Sequence, residues 1–253
     1  MNAKQRRLKI VEITNTEKKV EVNDLAALFA ASKETIRRDL VVLSEQSLLR
    51  KIHGGAAAIQ TAIESPIASR YKVSSDEKKK IADYAATLVS PGDSVFIDTG
   101  STTYALCEGL CEREGLTIVT NSLRLTLDVG NASNHVIYLV GGQYSDQALE
   151  VIGNLAIELI NKFHCDHAFI TVGAIDITDG CMDYNMDEAS VAQAMINNAR
   201  SVSILADHTK IGQKALCTVC DLSQVTRIIT DKKPDDEFVS ELDKKGVELV
   251  VVA

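Results

Sequence analysis

No stretch of this 253-residue sequence is both long and apolar enough to span a membrane. Its longest apolar runs are strand-sized and its first residues are polar and basic. Neither a membrane span nor a secretory signal is therefore expected, and the expected compartment is the cytoplasm. Cysteine is sparse as well. Six in a chain this long are too few for a disulfide framework and fit reduced, mostly buried thiols. Cys217-Thr218-Val219-Cys220 is the only Cys-x-x-Cys pair, whereas a metal site would want a second pair or nearby histidines. Cys107 and Cys111 stand at helical spacing. A thiol or metal sensor on Cys217 and Cys220 is thus the weakest functional reading, and no metal or cofactor is expected.

What is present suits a globular protein with more than one domain: 45% hydrophobic residues and a mean hydropathy of +0.02. The net charge of −8 argues against a nucleic-acid partner only if it is averaged over the chain. Residues 1–55 carry eleven Lys/Arg against seven Asp/Glu, a balance of +4, which leaves −12 for the rest. A small basic head on a large acidic body points to nucleic acid for the head.

Leu8, Ile10, Val11 and Ile13 among Lys4, Arg6, Arg7 and Lys9 predict a first amphipathic helix over residues 3–14. Val20-Glu21-Val22 alternates like a short strand. Asn23 is expected to cap a second helix over 24–30, and Ser32 a third that starts at Lys33. In that third helix Ile36, Leu40 and Leu43 make the buried face, which leaves Lys33, Thr35, Arg37 and Arg38 for a major groove, where a guanidinium can bond bidentately to guanine. Leu48 to Ala58 reads as two short strands with Gly54-Gly55 beside the turn. Three helices and such a hairpin make a winged helix-turn-helix, with Arg50, Lys51 and His53 placed for phosphates or the minor groove.

These residues carry a family resemblance. Ser32 to Leu40, Ser-Lys-Glu-Thr-Ile-Arg-Arg-Asp-Leu, followed by Leu43, Glu45 and Arg50-Lys51-Ile52-His53-Gly54-Gly55-Ala56, resemble the N-terminal signature of the DeoR family of bacterial transcriptional repressors. Arg70 and Asp76-Glu77-Lys78 are similar to that family's domain junction. Three segments are expected: a DNA-binding domain over 1–57, a linker over 58–76 that holds Pro66 and several serines, and a sensing domain over 77–253.

From Ile81 onward short β-branched strands alternate with amphipathic helices, which predicts a parallel, doubly wound α/β sheet. Helices are expected over 81–89, 123–129, 152–163, 188–199 and 236–245, and strands over 116–120, 135–140, 167–172, 202–206, 227–230 and 247–252. Such folds bind ligands at strand C-termini. Here those ends are small or polar: Asp98-Thr99-Gly100-Ser101-Thr102-Thr103, Thr120-Asn121-Ser122, Gly141-Gly142, Gly173 and Asp207-His208-Thr209-Lys210. The first reads as strand, turn and helix N-terminus, where unpaired N–H groups favour a phosphate. Lys210 adds a cation, and Tyr104, Tyr144, Asp183 and Tyr184 are candidates for specificity.

The body also resembles the DeoR-type sensor domain, similar in fold to ribose-5-phosphate isomerase. That resemblance implies sugar-phosphate contacts from Thr99-Gly100-Ser101-Thr102 and Asp207-His208-Thr209-Lys210. The isomerase's Lys-Gly-Gly-Gly-Gly run is absent; Gly180-Cys181-Met182-Asp183 stands there, without the cation that would stabilise an enediolate. Glu188 is kept only as a hydroxyl acceptor, and Ala192-Gln193 replaces the family's Lys-Arg. No enzyme is expected. The expectation is a homo-oligomeric repressor, dimer or tetramer, of a carbohydrate-utilisation operon. Its partners are double-stranded operator DNA and a phosphorylated sugar effector. A phosphosugar isomerase fused to a DNA-binding domain is the alternative.

Overall fold

The computed structural model describes residues 3–17, 19–45, 48–57, 67–71, 73–132 and 134–252. It divides into two compact units, Met1–Thr61 and Ala62–Ala253. The smaller unit runs α1 (Ala3–Glu17), β1 (Lys19–Glu21), α2 (Val22–Leu28), α3 (Lys33–Glu45), β2 (Arg50–Ile52) and β3 (Gly55–Ala57). Ile10, Leu25, Ile36, Leu40, Leu43 and Leu49 fill its core. β3 pairs antiparallel with both β1 and β2. That arrangement explains the two glycines. Gly54 turns the chain at φ +81°, and a Cβ on Gly55 would lie 1.9 Å from the Val20 carbonyl oxygen.

One expected cap is wrong and one is right. α2 begins at Val22 with Glu21 at its cap position, because the Val22 N–H is already satisfied by the Gly54 carbonyl at 2.9 Å. Asn23 therefore lies inside the helix. Ser32 does cap α3, its Oγ accepting from the Thr35 N–H at 3.1 Å. Asp39, which the sequence presents as one more charge beside Arg37 and Arg38, is buried. It accepts from Arg6 Nε at 2.6 Å and Arg7 Nε at 2.7 Å and so ties α3 to α1.

The larger unit opens with α4 (Ile67–Arg70) and α5 (Ser75–Thr87). Residues 67–70, 75 and 76 of the stretch read as a linker are thus helical, and residues 58–66 and 72 lie outside the described residues. Lys78 is the reason: its buried ammonium donates to the carbonyls of Arg70 and Val73, both at 2.8 Å, and closes the turn between the two helices. The chain continues through β4 (Ser94–Ile97), α6 (Ser101–Cys111), β5 (Thr117–Thr120), α7 (Leu123–Ala132) and β6 (Val136–Leu139). Next come β7 (Gln143–Ser145), β8 (Glu150–Ile152), α8 (Asn154–Ile160), β9 (Cys165–Ile170), β10 (Ala174–Asp176), β11 (Gly180–Asp183) and α9 (Met186–Asn197). β12 (Ala199–Leu205), β13 (Cys217–Cys220), β14 (Arg227–Thr230), α10 (Asp236–Lys245) and β15 (Glu248–Val251) complete it.

Among the described residues seven strands form one parallel sheet in the order β15-β14-β12-β9-β4-β5-β6. Side chains alternate between its two faces: Val95 and Ile97 join one core layer with residues of α5, α6 and α7. Phe96 joins the other, with residues of α8, α9 and α10. The chain leaves central β4 toward β6, then returns to β9 on the other side. The C-terminal ends of β4 and β9 are therefore the topological switch point, the crevice where such sheets bind ligands.

Two small sheets went unforeseen, β7-β8 and β10-β11-β13. Ile152 was expected to start a helix. It ends β8 instead, and Gly153, at φ +90°, turns the chain into α8. Likewise α9 starts at Met186, capped by the Asn185 side chain on the Asp187 N–H. No helix among the described residues is long and apolar enough to cross a membrane.

Candidate functional site

In the smaller unit the basic candidates share one region of α3 and the β2-β3 hairpin. Lys33, Arg37 and Arg38 are exposed on α3, Thr35 is half-buried, and exposed Ser32 stands at the cap. Arg50 and Lys51 are exposed on β2, with His53 in the turn that follows. Arg37 and Arg38 reach Glu34 only at 3.7 and 3.5 Å. Exposed pairs of that length contribute little to stability, so both guanidiniums can be recruited by a phosphate or a base edge. Arg6 and Arg7 are committed to Asp39.

In the larger unit Arg70, Asp98, Thr99, Glu150, Thr171, Val172, Asp183 and Glu188 enclose a cavity of about 10 Å³. It lies at the switch point. Asp98 and Thr99 follow β4, Thr171 follows β9, Glu150 comes from β8, and Asp183 and Glu188 come from β11 and α9. Asn121, at the end of β5, braces them: its Oδ1 accepts from the Thr99 N–H at 3.0 Å and the Thr99 hydroxyl at 3.1 Å. Its Nδ2 donates to Glu150 at 3.1 Å. The Thr171 hydroxyl donates to the Thr99 carbonyl at 3.3 Å, and Glu188 accepts from Asn185 Nδ2 at 2.9 Å.

Four carboxyl groups in so small a space cannot all stay charged. Burial, then the Asp183 charge, holds Asp98 well above the usual carboxylate range. Burial, with Glu188 and Asp98 adding to it and Arg70 opposing it, pushes Glu150 up to about 9. Glu150 is therefore protonated at neutral pH and Asp98 is pushed toward its protonated form, and a protonated carboxyl can donate to an oxygen-rich ligand. The second Glu150 carboxyl oxygen, Oε1, is buried without a hydrogen-bond partner among the described residues.

The sequence candidates separate on this geometry. Asp98 and Glu188 line the cavity. Gly100 is the cap residue of α6, and no side chain caps that helix, so Ser101, Thr102 and Thr103 belong to its first turn and do not close off its N–H groups. Thr103 instead donates to the Gly100 carbonyl at 3.1 Å. Gly100 itself is demanded by packing, since a Cβ there would lie 2.1 Å from Thr171 Oγ1.

Ser122 accepts from the Leu125 N–H at 3.3 Å, a helix-capping duty. Gly141 and Gly142 are exposed beside the β7-β8 hairpin, and a Cβ on Gly142 would meet the Ile152 carbonyl oxygen. Gly173 makes room for the Tyr184 ring. Asp207 caps the short 3-10 turn His208–Lys210. Neither Asp207 nor Lys210 lines the cavity, whose cation is Arg70. Tyr104 lies edge-on to Tyr71 beneath the Arg124 guanidinium and bonds Asp128, and Tyr144 is exposed. Cys217 and Cys220 are buried free thiols on β13.

Sequence reading missed Arg70 as a lining residue, and with it Glu150 and Thr171. Arg70 stood in a stretch read as linker, and Glu150 preceded an expected helix. The one available signal was the spacing of Arg70 and Lys78 across the family-like junction.

Comparison with known proteins agrees over both units. The family described as DeoR C terminal sensor domain matches residues 73–232, and that described as DeoR-like helix-turn-helix domain matches residues 6–62. The glycerol-3-phosphate regulon repressor of Escherichia coli (strain K12) is 30% identical over 98% of this chain and 99% of its own. The HTH-type transcriptional repressor GlcR of Bacillus subtilis (strain 168) is 32% identical over 99% and 97%. Among solved structures, ribose 5-phosphate isomerase A of Methanocaldococcus jannaschii shares 17% identity over 55% of each chain at a TM-score of 0.40, a likeness on which no functional argument rests. The near-complete coverage of the repressors, together with both domain matches, sets the isomerase alternative aside. The chain belongs to the DeoR family of transcriptional regulators and is not an enzyme.

Proposed function

We propose that this chain represses a carbohydrate-utilisation operon and leaves its operator when a phosphorylated sugar or related metabolite enters the switch-point cavity. The observation that carries the reading is the union, in one chain, of an exposed basic α3 and hairpin with an enclosed cavity lined by Arg70, four carboxyl side chains and two threonines. Arg70 and the first turn of α6 suit the phosphate; Asp98, Glu150, Asp183 and Glu188 suit sugar hydroxyls. The E. coli relative is named for a regulon of a phosphorylated polyol, which supports the same ligand class here.

A sugar phosphate needs a site of about 300 Å³ or more, so the cavity of about 10 Å³ must open to admit it. Opening is what distinguishes two states of the protein, and a ligand with different affinities for them shifts their balance. Repressors with such heads resemble symmetric oligomers that bind repeated half-sites, and the reading accordingly includes a homo-oligomer.

A gel shift with the DNA upstream of its own gene, with and without a panel of sugar phosphates, tests the reading. Retardation that one of them abolishes is expected; no retardation under any condition sinks it. Arg37→Ala and Arg38→Ala should each weaken operator binding, by about 1–3 kcal/mol for a lost bidentate base contact, with unchanged melting temperature. Full affinity in both would mean that this face of α3 does not meet the operator.

A further inference from the structure

The walls of the switch-point cavity are not equally fixed. Those on β4, β9 and β11 belong to strands paired on both sides. Glu150 lies in the β7-β8 hairpin, and Glu188 stands on α9, whose Val191, Met195 and Ile196 are buried in the core. Arg70 comes instead from α4, a helix of four residues and the first described element of the larger unit. Ile67 is buried at the start of α4, and at its end Lys78 holds the Arg70 and Val73 carbonyls. The next residue ties α4 to two other helices. The Tyr71 ring lies edge-on to that of Tyr104 on α6, centroids 4.9 Å apart. The Arg124 guanidinium of α7 sits 4.5 Å from the centre of the Tyr71 ring and 4.4 Å from that of Tyr104. Asp128, one turn further along α7, accepts from the Tyr104 hydroxyl and lies 3.8 Å from Arg124, so it orients both groups that grip Tyr71.

We propose that α4 is the wall of the cavity that moves, and that Arg124 and Tyr104 are positioning residues that latch it shut through Tyr71. Arg70 and Tyr71 are consecutive, yet the first lines the cavity and the second lies against α6 and α7. The ring cannot leave its place without drawing the guanidinium beside it along. A cation on a ring face shifts an equilibrium by about two- to thirtyfold. That is enough to bias one turn of helix toward the closed form and little enough for a bound ligand to overcome. The purpose of the latch rests on the effector reading above: closed, α4 excludes the ligand, and released, it makes room for one.

Trypsin reads this motion directly. It cleaves after an arginine whose side chain has entered its own acidic pocket, and Arg70 can do so only outside the cavity. No Lys or Arg lies between Lys51 and Arg70, so the fragment that ends at Arg70 is identified by its mass and is distinct from one that ends at Lys72. The full-length protein is digested under native conditions without DNA or sugar phosphate, and initial rates are compared. The wild type should be cut after Arg70 far more slowly than the urea-unfolded chain. Arg124→Gln and Tyr104→Ala should each be cut there about fivefold faster than the wild type, with the rate after exposed Lys214 unchanged. Tyr104→Phe, which keeps the ring, should stay near the wild-type rate. Wild-type cleavage after Arg70 in Arg124→Gln, an equal acceleration after Lys214, Tyr104→Phe cut as fast as Tyr104→Ala, or a wild type cut as fast as the unfolded chain would each overturn the proposal. The digestion contains no sugar phosphate, so a failed latch shows here and a failed effector reading shows in the gel shift.

Discussion

Glu150 shows how one buried side chain sets both the chemistry and the pH response of the sensor. Its carboxyl is raised from an ordinary 4.5 to about 9, so the folded protein holds this proton over a range in which the unfolded chain has released it. The stabilisation is complete below about pH 4.5 and is lost as pH rises toward 9. One proton gives a slope of at most about 1.4 kcal/mol per pH unit. Glu150→Gln keeps the oxygen that accepts from Asn121 and cannot ionise, so its urea-unfolding free energy should fall less between pH 5 and 9 and exceed that of the wild type at pH 9. Asp98, raised in the same direction, leaves some slope behind. Equal slopes in the two proteins would show that Glu150 is ionised in the fold.

The element that organises the pocket is the turn from β4 into α6. Gly100 lets the turn lie against the end of β9, where Thr171 holds the Thr99 carbonyl. Gly100→Ala forces a Cβ into Thr171 Oγ1 and should cost about 1–3 kcal/mol. Operator binding, which belongs to the other unit, should survive while release by sugar phosphate is lost. Thr171→Ala in the same chain removes the nearest clashing atom and should recover part of the melting temperature. An unshifted melting temperature in Gly100→Ala would mean that the turn yields freely.

This turn was legible in the sequence because three apolar residues, a glycine and a run of hydroxyls mark strand, loop and helix by local chemistry alone. β14 and α10 were legible to the residue for the same reason. β7, β8, β10, β11 and β13 were not, since each of these three- or four-residue strands holds at most two β-branched or aromatic residues, where β4 and β14 hold three. Nor were the burials of Lys78, Asp39 and Glu150, because a charged side chain reads as solvent-facing until distant partners are known: two carbonyls, two guanidiniums, and an asparagine from another strand.

At the scale of the whole molecule, release from DNA and binding of effector are one equilibrium seen from two ends. If a sugar phosphate lowers operator affinity by some factor, the operator must lower affinity for that sugar phosphate by the same factor, typically about 5–150-fold. The proposed function gives this a physical basis: on that reading the walls of the cavity separate when a ligand enters, and the form that holds DNA is the one in which they stay closed. The sugar phosphate that abolishes the gel shift should therefore bind less tightly, by calorimetry, to the operator complex than to free protein. Both titrations must share one ionic strength, because contacts to DNA phosphates weaken steeply with salt. The factor should equal the loss of operator affinity at saturating sugar phosphate. Equal binding to free and DNA-bound protein, with the complex still dissociating, would place the release signal outside this cavity.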